Sequence, residues 1–270
     1  SVYCLACHRP VAPAMAGRDV EQGHPQNVRL NDAQLQAVAD LGTVVGADRT
    51  LICMSCHKLG QAAGNPYMLA ETTTDGRLCQ RCHSGHYAKN TPHDLRNQHP
   101  DEVNRLGQTV AEGGPCSACH LSHRYARDFV STPLDPDGRC ITCHQKYRIA
   151  AGHARTSMEH PGARCLECHN PHDATHSEFL EAPTFELCTR CHQEMGGGAA
   201  AGTHPVGPMS YPIPQELIDA GATVGPTMNE LTCLTCHQTH EAGHDSLLII
   251  AKDSNRLCLS CHCEELTAHA

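Results

Sequence analysis

Apolar residues fall into short, separated clusters along this chain, and nowhere do they alternate over the length of a strand. The longest clear apolar run, Leu247 to Ala251, is far below the roughly 20 residues a helix needs to cross a membrane. Between Asp32 and Leu41 the spacing of Leu35, Val38 and Leu41 puts three apolar side chains on one helical face, with Asp32 as N-cap and Gly42 as the stop. Gln215 to Ala220 reads as its counterpart. Elsewhere 17 Pro and 22 Gly interrupt any longer period. The pattern predicts a mostly irregular fold with short α-helices and little or no β-sheet.

Composition makes such a fold hard to stabilise. The 270 residues hold six Tyr, three Phe and no Trp, and the 40% hydrophobic fraction includes 19 Cys. Ordinary apolar and aromatic residues are therefore about a third of the chain, below the usual share. Disorder does not account for this: the charged fraction is only 18%, and 19 Cys with 22 His are residue types that bind cofactors. Something other than side chains must fill the interior.

The cysteines say what. Cys-x-x-Cys-His occurs nine times: Cys4, Cys7 and His8; Cys53, Cys56 and His57; Cys79, Cys82 and His83; Cys116, Cys119 and His120; Cys140, Cys143 and His144; Cys165, Cys168 and His169; Cys188, Cys191 and His192; Cys233, Cys236 and His237; Cys258, Cys261 and His262. Chance would give about 0.1 copies at these residue frequencies, so the pattern reads as c-type haem attachment. Two thiols at this spacing form thioethers to the two vinyl groups on one porphyrin edge, and the adjacent histidine ligates the iron. A disulfide framework gives no account of a histidine after every second cysteine. A zinc site would need paired knuckles closing a tetrahedron. A thioredoxin-like motif needs a βαβ context that is missing here. Nine haem c groups, each with its iron, are thus expected to form the core.

The motifs also repeat as units. One type is followed three residues on by a second histidine: His123, His172 and His240. The other is followed by a His-Pro pair: His24, His99, His160 and His204. The expected organisation is one multihaem unit over 1–270, with an N-terminal motif at 1–23 and four repeats at approximately 24–92, 93–152, 153–203 and 204–270. A longer echo supports duplication, since His24-Pro25 and Thr43-Val44 return as His204-Pro205 and Thr223-Val224 at an offset of 180 residues. With His93 and His153, which also recur by position, these histidines supply nine distal ligands for nine irons. His86, His176, His244 and His269 are left as spare, although His176 and His244 correspond to each other. Seven methionines show no such period and read as filling, with Met68 the one to watch by the irregular haem of Cys53 and Cys56, where Gly60 stands in the place of the second histidine. Cys263 is the one cysteine outside a motif and reads as a free thiol, with an intermolecular disulfide as the alternative.

Cys165-x-x-Cys-His-x-Pro-His172 followed by Leu187-Cys-x-x-Cys-His192 resembles the doubled CxxCH family of multihaem c-type cytochromes, and His204-Pro-Val-Gly looks like another element of it. The resemblance implies bis-histidine haems in close-packed chains, serving periplasmic or extracellular electron transfer, with some members forming conductive filaments. Histidine on both faces closes an iron to substrate, so an electron carrier is expected. The alternative is a multihaem oxidoreductase of nitrite or hydroxylamine type with one open iron, for which Gly60 marks the only place. Haem attachment outside the cytoplasmic membrane makes the chain an exported one, extracellular or at the cell surface, with the periplasm as alternative. Its start at Ser1, without a signal segment, reads as a mature form. Net charge is −9 and haem propionates would add to it, which excludes nucleic acid as partner. Other redox proteins, cationic partners or extracellular acceptors fit instead, as does end-to-end self-association that would cover the terminal haems.

Overall fold

All eight described Cys-x-x-Cys-His motifs are one helical turn, closed in the same way. The N–H of each motif histidine donates to the carbonyl of the first cysteine at 2.8–3.0 Å. This bond spans four residues, so both sulfurs and the imidazole project from one face of the turn. The computed structural model describes residues 27–60, 67–86, 91–104, 107–120, 140–145, 164–196, 204–225, 227–240, 242–252 and 255–262. The candidate residues Cys4, Cys7, His8, His24, His123, His153 and His160 lie outside the described residues, as do Cys263 and His269.

A single turn does not hold its shape in isolation, and the residue just before the second cysteine supplies the first restraint. Ser55 Oγ accepts the Ile52 N–H at 3.1 Å, Glu167 Oε2 accepts the Arg164 N–H at 2.9 Å, and Thr235 Oγ1 accepts the Thr232 N–H at 2.9 Å. Each satisfies a donor that the turn leaves open at its start. Ser55 and Thr235, 1% and 0% exposed, go further. Their hydroxyls donate to Val44 O and Thr223 O, tying the motif to the loop before it. The two hydroxyls stand at the 180-residue offset, while their acceptors in the preceding loop are shifted by one residue.

The chain divides into two compact units, Ser1–Arg139 with Pro171–Asp173, and Cys140–Asn170 with Ala174–Ala270. In the first, the helix Asp32–Asp40 lays Leu35 and Val38 against Leu30, Val45 and Leu51. Its N-cap is Asn31, one residue before the position expected from sequence. The Asn31 side chain accepts the Gln34 N–H while Gln34 Oε1 accepts the Asn31 N–H, a reciprocal cap that Asp32, already inside the helix, cannot make. Asp32 instead pairs with Arg49, and Gly42 at φ 64° follows the helix end.

Further along, the helix Val110–Gly113 carries a second reciprocal cap between Thr109 and Glu112 and leads into the turn Pro115–Ala118. Gly114 makes this approach possible. It stands at φ 87°, ψ 160°, and a Cβ there would lie 1.7 Å from the Thr73 carbonyl oxygen.

In the second unit the helix Gln215–Asp219 buries Leu217 among Ile213, Leu231, Ile249 and Ile250. Gly207–Pro208 pairs antiparallel with Glu230–Leu231, which is the only sheet among the described residues. The motif helix Cys233–Cys236 touches both the helix Gln215–Asp219 and the helix Thr184–Thr189. The fold is mostly irregular with short helices, as the chain pattern predicts. Among the described residues no helix is long and apolar enough to cross a membrane. Buried side-chain clusters this small do not order units of this length by themselves.

Candidate haem-binding sites

Three motif histidines are held by one backbone device. His57 Nδ1 donates to Tyr67 O at 2.8 Å, His169 Nδ1 to Glu178 O at 2.9 Å, and His237 Nδ1 to Ser246 O at 2.9 Å. A carbonyl has no proton to give, so Nδ1 carries the hydrogen and Nε2 keeps the lone pair that a metal takes. Two backbone bonds flank each clasp. Lys58, Asn170 and Gln238 donate their N–H groups to Met68, Phe179 and Leu247 at 2.7 Å, while the carbonyls of Cys56, Cys168 and Cys236 accept from Ala70, Glu181 and Ile249. Each of the three motifs opens a doubled unit, and the irregular one with Gly60 is clasped like the other two.

Left-handed backbone aims these carbonyls. Glu178 and Phe179 both have φ 55°, Ser246 and Leu247 both 58°, and Met68 51°. For residues other than glycine that conformation costs about 1–2 kcal/mol each, so relieving it at the exposed positions stabilises. Glu178→Gly and Ser246→Gly are each expected to raise stability by roughly 0.5–1 kcal/mol, the glycine entropy offsetting part of the relief, while Ser246→Val lowers it. Amide exchange at Gln238, together with denaturation midpoints, reads the change locally and globally.

The cysteines of consecutive motifs meet. In the first unit the Cys79 thiol accepts a hydrogen bond from Cys116, which pulls it down to about 7 and pushes Cys116 up. Burial raises Cys56 to about 11, with Cys82 and Cys79 adding to it. In the second unit Cys188 donates to Cys233, which falls to about 7, while Cys188 rises. Cys168 is raised by burial, then by Glu167 and Cys191; Cys236 is raised by burial, then by Cys261 and Cys258. Two kinds of neighbour alternate along the chain: second cysteines within a doubled unit feel each other's charge, and first cysteines hydrogen-bond between one unit and the next. Two threads result, through the motifs of Cys53, Cys79 and Cys116 and through those of Cys165, Cys188, Cys233 and Cys258.

The distal candidates are placed unevenly. His172 stands 5.7 Å from His120, ring centre to ring centre, with planes 18° apart, and His240 stands 6.1 Å from His169 at 19°. His204 lies 6.2 Å from His262 at 74°. His93 Nδ1 donates to Pro171 O at 3.3 Å; the turn that follows it is held by buried Asp94, whose carboxylate takes two bonds from Arg96. His99 closes the helix Leu95–Gln98. Of the histidines read as spare, His86 lies 5.4 Å from His83 and 5.3 Å from His172. Its sequence signal was present, three residues after His83. His176 and His244 open the two left-handed turns. Burial, and after it the neighbouring imidazoles of His120, His86, His93 and His83, holds His172 below the usual histidine range, which keeps it neutral and able to ligate.

These residues fit a covalently held haem. Free cysteine is among the residue types most often fully buried, yet each of the sixteen described cysteines keeps part of its surface accessible. Leu166 and Leu259, inside their motifs, and Phe185 beside another are 43%, 37% and 45% exposed, an apolar surface that a macrocycle would cover. An open surface pocket of about 740 Å³ mixes the apolar Ala220, Ile249, Ile250 and Ala251 with His244 and the charged Glu216, Asp219 and Arg256. No group of three or more Cys, His, Asp or Glu among the described residues is arranged to hold a bare metal ion.

Residues 160–197 and 225–266 match the family described as the doubled CXXCH motif. Over those residues the chain is similar to that family. The doubled CXXCH motif indicates covalent haem c binding and is consistent with a multihaem c-type cytochrome that transfers electrons. The match covers less than a third of the sequence, and the same motif turn extends beyond it to Cys53, Cys79, Cys116 and Cys140. No curated protein matches the chain.

Proposed function

We propose that this doubled-CXXCH cytochrome carries electrons along nine haems and performs no chemistry on a small molecule. A haem held at each motif would supply one iron able to take up and release a single electron. The residues that hold them are the eighteen motif cysteines and nine motif histidines, with His24, His93, His99, His123, His153, His160, His172, His204 and His240 as distal ligands, arranged in one N-terminal motif and four doubled repeats. The observation that carries this reading is the contact of consecutive motifs through their cysteines, Cys79 with Cys116 and Cys188 with Cys233. Thioether edges brought together in that way put neighbouring macrocycles side by side, the condition for electrons to pass between them.

In this reading the setting is extracellular or cell-surface respiration, with the periplasm as alternative, because haem is attached to exported chains. A net charge of −9, made more negative by propionates, suits cationic redox partners and extracellular acceptors. End-to-end self-association would extend the path beyond one chain as a conductive filament, and electron micrographs of native material test that extension directly.

Haem count per chain, spin state and ligand reactivity test the proposal together. Nine haems, low-spin throughout, with no fast turnover of nitrite or hydroxylamine and no carbon monoxide adduct are expected. A stoichiometric high-spin signal with rapid turnover would instead establish an enzyme.

A further inference from the structure

Two ring pairs show a register that the repeat alone does not specify. His240 belongs by sequence to the motif of His237, yet its ring faces His169 at 6.1 Å with planes 19° apart. His172 belongs to the motif of His169, yet it stands 5.7 Å from His120 at 18°. In both cases the partner is the opening motif histidine of the preceding doubled unit. Two imidazoles bound on opposite faces of one metal, each by a bond of about 2 Å, have ring centres about 6 Å apart. Both pairs lie at that span.

Chain reach argues the same way. Three residues extend at most about 10 Å. A backbone of that length, starting at the histidine under one face of a macrocycle, is too short to pass round the rim and return to the iron from the other face. A histidine three residues after its motif is therefore badly placed for its own haem and well placed for a neighbouring one. His169 adds direction, because its Nδ1 is held by Glu178 O and only Nε2 remains to meet an iron lying between it and His240. His86 is also near His172, but at 5.3 Å it is closer than either pair and shorter than the span across one metal, and it has no repeat equivalent in the His169–His240 pair.

Resting on the reading of these histidines as haem ligands, we propose that the histidine three residues after an opening motif ligates the iron of the preceding doubled unit. His240 serves the haem of Cys165 and Cys168, and His172 serves the haem of Cys116 and Cys119. By sequence register alone, the same rule gives His123 to the haem of Cys53 and Cys56. Gly60 then deprives that haem of nothing, since a histidine at its position would serve an earlier one. Each ligand crossing is also a staple, as every doubled unit is bolted through iron to the one before it.

The test uses the holoprotein and spin state as readout. His240→Ala is expected to turn one haem high-spin. In a chain that also carries Cys165→Ser and Cys168→Ser, and so lacks that haem, His240→Ala adds no further high-spin signal; in a chain with Cys233→Ser and Cys236→Ser it still adds one. The reverse dependence overturns the proposal. Where a variant does not accumulate, a cryo-EM map of the native holoprotein decides without mutation: His240 Nε2 on the iron of His169 supports the crossing, and His240 on any other iron ends it. A wild-type protein with every iron six-coordinate by histidine but paired differently removes the crossing alone. Irons without histidine at the sixth position remove the ligand reading itself.

Discussion

Replacing Cys233 and Cys236 by serine is expected to lower the haem content by one and to cut the second thread in its middle. The helix that carries these cysteines lies between the helix of Cys188 and the apolar cluster of Leu217, Leu231, Ile249 and Ile250. Cys233 meets Cys188 on one side, and Cys236 lies by Cys261 and Cys258 on the other. Loss of the macrocycle there removes a group comparable to or larger than a buried aromatic side chain, for which roughly 3–5 kcal/mol is the usual cost. Electron exchange between the haems of Cys188 and Cys258 should lose its fast phase, as followed by photoreduction. Removing Cys258 and Cys261 instead also takes away one haem, but leaves exchange between the haems of Cys165 and Cys233 in place. Eight haems with unchanged exchange in the first variant would mean that the cysteine contacts do not mark the electron path.

Gly114→Ala is expected to have the largest effect of any single methyl group in the first unit. Its backbone at φ 87°, ψ 160° is in a region that is essentially closed to residues with a Cβ, at a cost of about 1–3 kcal/mol. The new methyl would also stand 1.7 Å from the Thr73 carbonyl oxygen, so one of two backbones must move, adding roughly 1–3 kcal/mol. Both penalties act on the loops that bring Cys79 to Cys116. A loss of about 3–5 kcal/mol in stability, with altered coupling between the two haems, is the expected result. Spectroscopic redox titration and denaturant midpoints read the two effects separately, and a variant indistinguishable from wild type in both would show that the segments 72–76 and 114–116 are not packed as described.

Much of this site was legible in the residues because covalent chemistry leaves a local signature. Two thiols three apart and a histidine next to the second are required by the porphyrin edge and by iron, so the motif is complete within five residues, and the described motifs fold into one repeated turn. The short helices were legible for a similar reason: Leu35 and Val38 set a helical period, and only the cap moved, from Asp32 to Asn31, because the reciprocal bond with Gln34 decides between two neighbouring polar residues. The clasp was not legible. Its acceptors are backbone carbonyls of Tyr67, Glu178 and Ser246, and any side chain can stand on a carbonyl. Only the leucine that ends each clasp, Leu69, Leu180 and Leu248, left a trace at similar spacing. Likewise Ser55 and Thr235 stand at unspecified positions of Cys-x-x-Cys-His, and only the folded structure shows them buried with their hydroxyls tying the motif to the loop before it.

The sequence by itself determined the class of this protein, because covalent haem attachment depends on residue types and spacing that no tertiary context can supply or remove. It also determined the scarcity of side-chain core and sheet, which follows from composition and from the absence of alternation. Which histidine stands across from which, which cysteines meet, and which carbonyl orients each imidazole were decided only by the tertiary structure. Ligation and packing act across tens of residues, through loops whose course is set by caps, left-handed turns and the bare backbone of Gly114, and a one-dimensional pattern carries no record of those meetings.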